Sequence, residues 1–518
     1  MYDTFFKRGR RALLVIVAAS GLFVPPLAGN NPYAATSASI ETPFVSKINA
    51  FTSNDFLRGI WRKYAALSVP ATPASIAAFK PGVNIRFFDG QVRKISKVFQ
   101  VGKNLSVYVA GDLLNGNKVG FPHTITTVPV PSDGSNAANP AFLAKGDIKG
   151  IDISPPVQNW EAPAYGMTQT RLAALSGAGF NTLRIWISLE EFLSPPVSME
   201  ATLSRWLGYI DRAAQTGFRV HVSWASTWEQ RIAVVNDATT RARFHTALNS
   251  LCGAVGSYFS ERQVALEMLN EPPGESITPG YYSTAAPGWF SSCRTAAPRL
   301  TIILQPEGGW HGALSRFNLS QYDANTMFSF HPYAPGEFTH QGIGSQPHLY
   351  NVPMPITRYV GGKAKMLADV TARVKADPSL SAAQKKSEIV RYTGLINYLW
   401  WENGSRWADW SELESWAAAT GINPKRIIAG EFGVVSELNY NGTPALKDVA
   451  SRAHFMRKIR EQTEANRFAG WVVHQAFGDF NLFQQKTVSE HGDTLIPELV
   501  EALFGSQPLP LGPPVSGQ

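Results

Sequence analysis

The chain has 518 residues, room for one large barrel plus a smaller domain, and 44% of them are hydrophobic, which argues for a sizeable core and against global disorder. Its 47 basic and 39 acidic residues leave a net +8, or about +5 once the net +3 of the first 34 residues is set aside. So modest an excess demands no nucleic-acid partner, and no nucleic-acid motif is present. Fourteen Trp and sixteen Tyr are many for this length; such rings stack on sugar faces and equally fill ordinary cores.

The first element reads as a targeting segment. Lys7, Arg8, Arg10 and Arg11 form a basic head, and Ala12 to Val24 is an apolar run of 13 residues. That is short for a membrane span and suits a signal peptide, with an uncleaved anchor as the alternative. The small residues Ala28, Gly29, Ala35 and Ser37 do not fix a cleavage point. Residues 1–37 are thus expected to be leader, and the exported chain to be secreted or periplasmic with no membrane span.

Residues 38–145 are expected to form a small β-rich accessory domain. A short helix is predicted over Asn54–Tyr64. Strands are predicted over Val83–Phe88, Gln91–Phe99 and Leu105–Ala110, with turns at Asp89-Gly90, Gly102-Lys103-Asn104 and Asn115-Gly116. Val130–Pro140 reads as a linker. Lys80 to Lys118 carries seven basic residues against Asp89 and Asp112. This reads as a solvated strand face, with a surface for acidic polysaccharide as the alternative.

From residue 146 to 506 the pattern alternates strand and helix. Eight strands are predicted: Lys149–Ile153, Asn181–Ile187, Arg219–Trp224, Val264–Leu269, Leu300–Leu304, Thr326–Phe330, Arg426–Ala429 and Phe468–Val473. Helices are predicted over Thr168–Gly177 and Leu203–Gln215. Eight strands in this rhythm indicate an α/β fold, a (β/α)8 TIM barrel. The long stretch Tyr333–Pro424 holds further helices near Ser387–Trp401 and Trp410–Thr420 and is expected to wall the cleft. Residues 507–518 form a Pro/Gly-rich tail. Cys252 and Cys293 fall on what look like neighbouring barrel helices and can pair in an exported protein, although spacing alone does not establish the approach.

Glu271 and Glu431 each directly follow a short apolar run that reads as a buried strand: Ala265 to Asn270, and Ile427 to Gly430. Barrel enzymes place their chemistry at the carboxyl ends of strands. Two glutamates there suggest the paired carboxylates that cleave glycosidic bonds, one protonating the leaving oxygen and one facing the other side of the sugar.

These motifs resemble those of glycoside hydrolase family 5, the cellulase family of retaining barrel enzymes, over roughly residues 146–500. Gly179-Phe180-Asn181-Thr182-Leu183-Arg184-Ile185 resembles the family's second-strand motif, which implies that Arg184 supports the nucleophile. Asn270-Glu271-Pro272 resembles the fourth-strand motif, with Glu271 as acid/base and Asn270 on the sugar 2-hydroxyl. His331-Pro332-Tyr333 resembles the sixth-strand pair, and Glu431 in Gly-Glu-Phe-Gly the nucleophile. Trp310 has family counterparts in the cleft. The resemblance implies a polysaccharide or oligosaccharide substrate, an endo-β-1,4-glucanase first of all, and no metal or cofactor. Mannan, xyloglucan, β-1,3-glucan or an exported exopolysaccharide are alternatives. On charge grounds, Arg184 is expected to lower the pKa of Glu431. Partial burial and Glu431 are expected to raise that of Glu271.

The chain departs from the pattern at two places. The family's eighth strand usually ends in a tryptophan under the cleaved sugar. Here, with Trp471 taken as the inward residue of that strand, His474 occupies the platform position. At the third strand, Trp224 stands where histidine is commoner and is expected to provide stacking. His474 and Trp224 also favour a rival reading, a non-catalytic carbohydrate-binding protein on a decayed barrel. Glu267 is expected to be structural, Glu307 to lie on an exposed loop, and Trp400, Trp401, Trp407, Trp410 and Trp416 to serve helix packing or a sugar-stacking wall.

Overall fold

A computed structural model describes residues 43–50, 64–80, 83–87, 92–101, 103–110, 122–128, 139–153, 166–402, 409–436, 446, 448–487 and 490–505. The expected leader, the Asp89-Gly90 and Asn115-Gly116 turns and the tail lie outside the described residues. So does the helix expected over Asn54–Tyr64, except for Tyr64, which opens a strand instead.

The N-terminal strands are β1 (Pro43–Ala50), β2 (Tyr64–Pro70), β3 (Asn84–Phe87), β4 (Val92–Val101), β5 (Asn104–Ala110) and β6 (Pro122–Val128). They close into an antiparallel barrel in the order β1-β2-β5-β4-β3-β6. Alternation at period two sends Leu67 and Val69, and Leu105, Val107 and Val109, into its core, with Ile85, Ile95 and Phe79. The three strands expected here are present. β1, β2 and β6 are additional: β1 and β6 each open on proline and mix polar residues into a short run, and β2 begins at the end of the segment read as helix.

All eight strands expected beyond residue 146 are present. They are β7 (Ile148–Ile153), β8 (Thr182–Ser188), β9 (Arg219–Ala225), β10 (Val264–Glu267), β11 (Thr301–Leu304), β12 (Thr326–Phe330), β13 (Ile427–Phe432) and β14 (Gly470–Val473). Each pairs in parallel with the next and β14 closes on β7, so the fold is a (β/α)8 TIM barrel behind a small β-rich domain. Strands covered on both faces read as continuous apolar runs, which is why they were legible. A pair of antiparallel strands, β15 (Phe483–Thr487) and β16 (Glu490–Leu495), follows the barrel.

Helix ends follow from local chemistry. Thr168 and Ser198 cap the helices Gln169–Ala178 and Met199–Gln215 with their hydroxyls. Gly179 ends the first of these in the left-handed region at φ 104°. The insertion after β12 packs its helices Gly362–Ala376 and Ala382–Glu402 around its own apolar cluster, including Met366, Val370, Tyr392 and Ile396. Among the described residues no helix is long and apolar enough to cross a membrane.

The base of the larger barrel is plugged. Phe142 and Leu143 pack with Ile148, Ala265, Ile303, Met327, Ile428 and Val472. Arg219 fastens this plug by donating to the Phe142 and Gly146 carbonyls at 2.9 and 2.7 Å. Phe142 therefore serves the larger barrel, although it lies on the N-terminal side of the boundary expected at residue 145. Emptying this site by Phe142→Ala is expected to cost about 3 kcal/mol or more of stability, read by urea denaturation.

Cys252 and Cys293 form a disulfide between the helices Ala238–Tyr258 and Ala286–Ala296. The loop spans 41 residues, for which chain entropy alone gives about 4 kcal/mol. The Cys252→Ser/Cys293→Ser double variant should unfold at lower denaturant by up to that amount. Denatured, unreduced wild type should show no free thiol at these positions.

Candidate active site

The carboxyl end of the barrel is organised by one cation. Arg184 on β8 lies in register with Asp152 on β7 and His221 on β9. Its side chain is fully buried. Nη1 donates to Asp152 Oδ2 at 2.9 Å and to Glu431 Oε2 at 2.6 Å. Nη2 donates to Asn270 Oδ1 at 2.7 Å, Ser223 Oγ at 3.0 Å and Glu267 Oε1 at 3.2 Å. Burial lowers the pKa of this guanidinium, but Glu267, Asp152 and Glu431 together outweigh it, so the net shift is upward and the group stays charged.

Glu431 ends β13. Gly430 precedes it because a Cβ there would run into Ser329 on the neighbouring strand. Besides Arg184, Glu431 accepts from the Tyr333 hydroxyl at 2.9 Å, and His474 and His331 stand 3.7 and 3.8 Å away. Burial raises its pKa, but His331, His474, Arg184 and the Tyr333 hydrogen bond hold it below the ordinary carboxylate range. Burial, with Glu431 next in effect, pushes Tyr333 well up, so it remains a phenol that donates.

Glu271 follows β10 and the short turn that carries Asn270. Its backbone is in the left-handed region at φ 42°, a conformation that costs a non-glycine residue about 1–3 kcal/mol. Several contacts hold it there. Its N–H donates to Gln305 Oε1 at 2.8 Å, and Arg231 Nη1 donates to its carbonyl at 2.9 Å. With the Gln305 oxygen so engaged, its amide nitrogen faces His331 Nε2 at 3.0 Å. His331 Nδ1 then carries the proton and donates to Glu271 Oε1 at 2.8 Å. The expected upward shift of Glu271 is not found. Burial does raise its pKa, and Glu431 adds to that, but the His331 hydrogen bond, with Arg231, outweighs both. Oxygens of Glu271 and Glu431 lie within 4.8 Å of each other.

The structure thus brings together Glu271, Glu431, Arg184, Asn270, His331, Tyr333 and His474. Two tryptophans expected at the site are elsewhere. Trp224 is fully buried against Phe192 and Phe244 and donates to the Glu267 carbonyl at 2.9 Å, so it cannot stack on a sugar. Trp471 packs outward against Phe180, Phe432 and Phe504. Trp310 is 38% exposed on the loop after β11, one residue past Gly309, whose carbonyl accepts from the His331 backbone at 2.8 Å. Glu307 is not a loose loop residue, since Arg316 pairs with it at 2.8 Å. The tryptophan group divides: Trp410 and Trp416 are buried in the main core, Trp400 packs on the cluster of the insertion, Trp401 is exposed, and Trp407 lies outside the described residues.

Sequence reasoning missed Asp152, Trp186, Ser223, Gln305 and Arg231. Inward alternation from Arg184 pointed to Trp186, and the Asp152 strand end was a further signal. Asp152 accepts from Trp186 Nε1, from Arg184, and from His474 Nδ1 at 2.8 Å. Burial lowers the His474 pKa, but Glu431 and Asp152 outweigh it and raise the group above its ordinary value. Glu267 is inside the barrel, 2.7 Å from both His221 Nε2 and Ser223 Oγ.

A closed parallel barrel whose strand ends hold an open, carboxylate-lined mouth defines a barrel enzyme. The family model for cellulase (glycosyl hydrolase family 5) matches residues 143–475, and the chain belongs to that family. It is a glycosidase, a β-glycoside hydrolase. No curated protein matches the chain. Among solved structures, an endoglucanase aligns at 18% identity and TM-score 0.49, covering 71% of this chain and 100% of that one. Cellulose synthase subunit Z from Clostridioides difficile aligns at 19% and 0.47, covering 69% and 99%. The cellobiose complex of Thermotoga maritima Cel5A aligns at 21% and 0.47, covering 71% and 100%.

The ion network predicts acid sensitivity. Burial raises Glu267, but Arg184 and His221 outweigh it and bring it from 4.5 down to about 2. Its contribution to stability is therefore present above pH 4.5 and lost as pH falls toward 2. Denaturation midpoints followed between those values should drop steeply in wild type and less steeply in Glu267→Gln.

Proposed function

We propose that the protein is a retaining endo-β-1,4-glucanase working by double displacement, with Glu431 as nucleophile and Glu271 as acid/base. The observation that carries this reading is that one oxygen of Glu271 and one of Glu431 lie within 4.8 Å of each other across the same mouth. Retaining enzymes hold the pair about 5–5.5 Å apart, whereas inverting enzymes leave about 6.5–9.5 Å for a water between them.

In the first step a Glu431 oxygen attacks the anomeric carbon while Glu271 gives its proton to the departing glycosidic oxygen, leaving a glycosyl ester on Glu431. In the second, Glu271 takes a proton from water, the oxygen of that water attacks the anomeric carbon, and Glu431 leaves as carboxylate. Arg184 touches Glu431 and not Glu271, so Glu431 is the first of the pair to ionise. Tyr333 donates to the same carboxylate and steadies it. Glu271 has the more open position, with 29% of its side chain exposed against 8% for Glu431. A sugar closing the mouth buries Glu271 further and pushes its pKa up, toward the protonated form the first step needs. Asn270 is held by Arg184 for the sugar 2-hydroxyl, and exposed Trp310 and Trp228 offer rings along the cleft.

This reading includes export. Residues 1–37 serve as signal peptide, 38–145 as an accessory domain and 146–506 as the catalytic domain, with a tail beyond, and the enzyme works outside the cell or in the periplasm. The test is reducing-sugar release from carboxymethyl-cellulose, barley glucan, xyloglucan, mannan, laminarin and an acidic exopolysaccharide. Release is expected first from carboxymethyl-cellulose and barley glucan, with Glu271→Gln and Glu431→Gln each reducing it by a thousandfold or more, on the order of a lost catalytic group. Release from another polymer alone would move the substrate, and wild-type levels in either variant would remove that residue from its role.

A further inference from the structure

The end of β14 puts no aromatic ring where the family resemblance leads one to expect a platform. His474 turns its Nδ1 to Asp152, and Phe477 stacks on Phe483. Phe480 is buried against His474 and Tyr333. A ring does stand on the other side of Asp152. Trp186 is two residues beyond Arg184 on β8, so period-two alternation sends it to the same inward side, one layer nearer the mouth. It is half-buried there, while its strand neighbours Ile185 and Ile187 are fully buried. The Arg184 guanidinium lies 4.7 Å from its ring centroid, and its indole N–H is anchored on Asp152.

We propose that Trp186 is the aromatic platform for the sugar bound next to Glu431, moved from the eighth strand of the barrel to the second, and that Asp152 is its positioning residue. The inference rests on the glycosidase reading of the Glu271–Glu431 pair. Three features carry it. The indole is tethered by a buried carboxylate, so the ring keeps one orientation. The Arg184 side of the ring is already covered, and the ring keeps exposed surface while Ile185 and Ile187 beside it have none. Arg184 itself bonds Glu431, so ring and carboxylate share one support and lie within one guanidinium of each other. Asp152 links the set: a single carboxylate accepts from Trp186, Arg184 and His474 and fixes all three against the mouth. An asparagine there has one acceptor oxygen and cannot serve all three donors.

The test is kcat and KM for wild type, Trp186→Ala, Trp186→Phe, Asp152→Asn and the Trp186→Ala/Asp152→Asn double variant, on whichever of the six polymers wild type cleaves fastest. Thermal midpoints serve as the folding control. Trp186→Ala is expected to lower kcat/KM about tenfold or more, largely through KM, as the loss of one stacked ring does. Trp186→Phe, which keeps an apolar ring without the tether, should recover only part of that loss, and a loss that falls on KM with an unchanged thermal midpoint separates stacking from a purely structural role. Asp152→Asn should cost less in the Trp186→Ala background than in wild type. A folded Trp186→Ala with unchanged kcat/KM, while Glu431→Gln is inactive, would overturn the platform and leave the glycosidase reading standing. No release by wild type from any polymer would overturn both. Losses that simply multiply in the double variant would remove Asp152 from the positioning role.

Discussion

Arg184 carries one positive charge into a space that holds three carboxylates, Asp152, Glu267 and Glu431. Burying a guanidinium is costly unless its donors find partners; here both Nη groups do and Nε does not, and removing any one partner leaves charge uncompensated. The strands supply those partners from around the barrel: β7 gives Asp152, β9 Ser223, β10 Glu267 and β13 Glu431. The site is therefore not a set of groups attached to a finished scaffold. The ion network ties the carboxyl ends of those strands to β8, much as the apolar plug around Phe142 ties their other ends. Histidines complete the balance differently on the two sides. His221 is held below its ordinary pKa chiefly by burial and stays neutral beside Glu267. His474 is raised chiefly by Glu431 and Asp152 against the pull of burial, so it takes up a proton more readily on that side of the mouth.

The barrel was legible because a buried parallel strand has little choice of composition. Runs such as Ile427 to Gly430 or Thr301 to Leu304 are apolar on both faces, and turn chemistry marks their ends. Side-chain direction was less legible. Trp224 and Trp471 sit on strands of the right kind, near the right ends, yet each turns to the helix layer. A one-residue difference in phase sends a strand residue to the opposite face. In strands buried on both sides no polar alternation reports that phase. Asp152 and Trp186 were missed for a related reason. Within Gly150-Ile151-Asp152-Ile153 and Ile185-Trp186-Ile187, one inward residue stands between apolar neighbours, and nothing local says that the two meet. Only the parallel pairing of β7 with β8, which sets Asp152 opposite Arg184, shows it.

The rival reading of a decayed barrel drew on Trp224 and His474. Trp224 is a core residue and bears on neither reading. His474 is bonded to Asp152 and stands 3.7 Å from Glu431, so it is part of the charge balance of the mouth rather than a gap in it. A protein that only binds sugar gains nothing from leaving a carboxylate as well supported as Glu431. Four donors or cations, Arg184, Tyr333, His331 and His474, converge near that one group, an arrangement whose physical effect is to keep it ionised under a neutral sugar.

The two carboxylates are held in opposite ways, and the difference follows from what the proposed reaction asks of each. Glu431 sits in a strand, beside a register shift near the end of β13, buried, with its orientation fixed by Arg184 and Tyr333. A group that forms a bond to carbon benefits from such restraint, because any freedom it kept would have to be lost in reaching the transition state. Glu271 sits on a strained backbone at the opening, gripped through its peptide groups by Gln305 and Arg231 rather than mainly through its carboxyl. One oxygen accepts from His331 and the other lies 3.5 Å from Arg231 Nη1, on a side chain that stays 29% exposed, so a proton can arrive from water and leave to it. The strain at φ 42° persists because β10 ends at Glu267 and the chain must turn sharply to bring Asn270 onto Arg184. The same turn that places Asn270 thus pays for the exposure of Glu271, and relaxing it would separate the two residues that must meet one sugar.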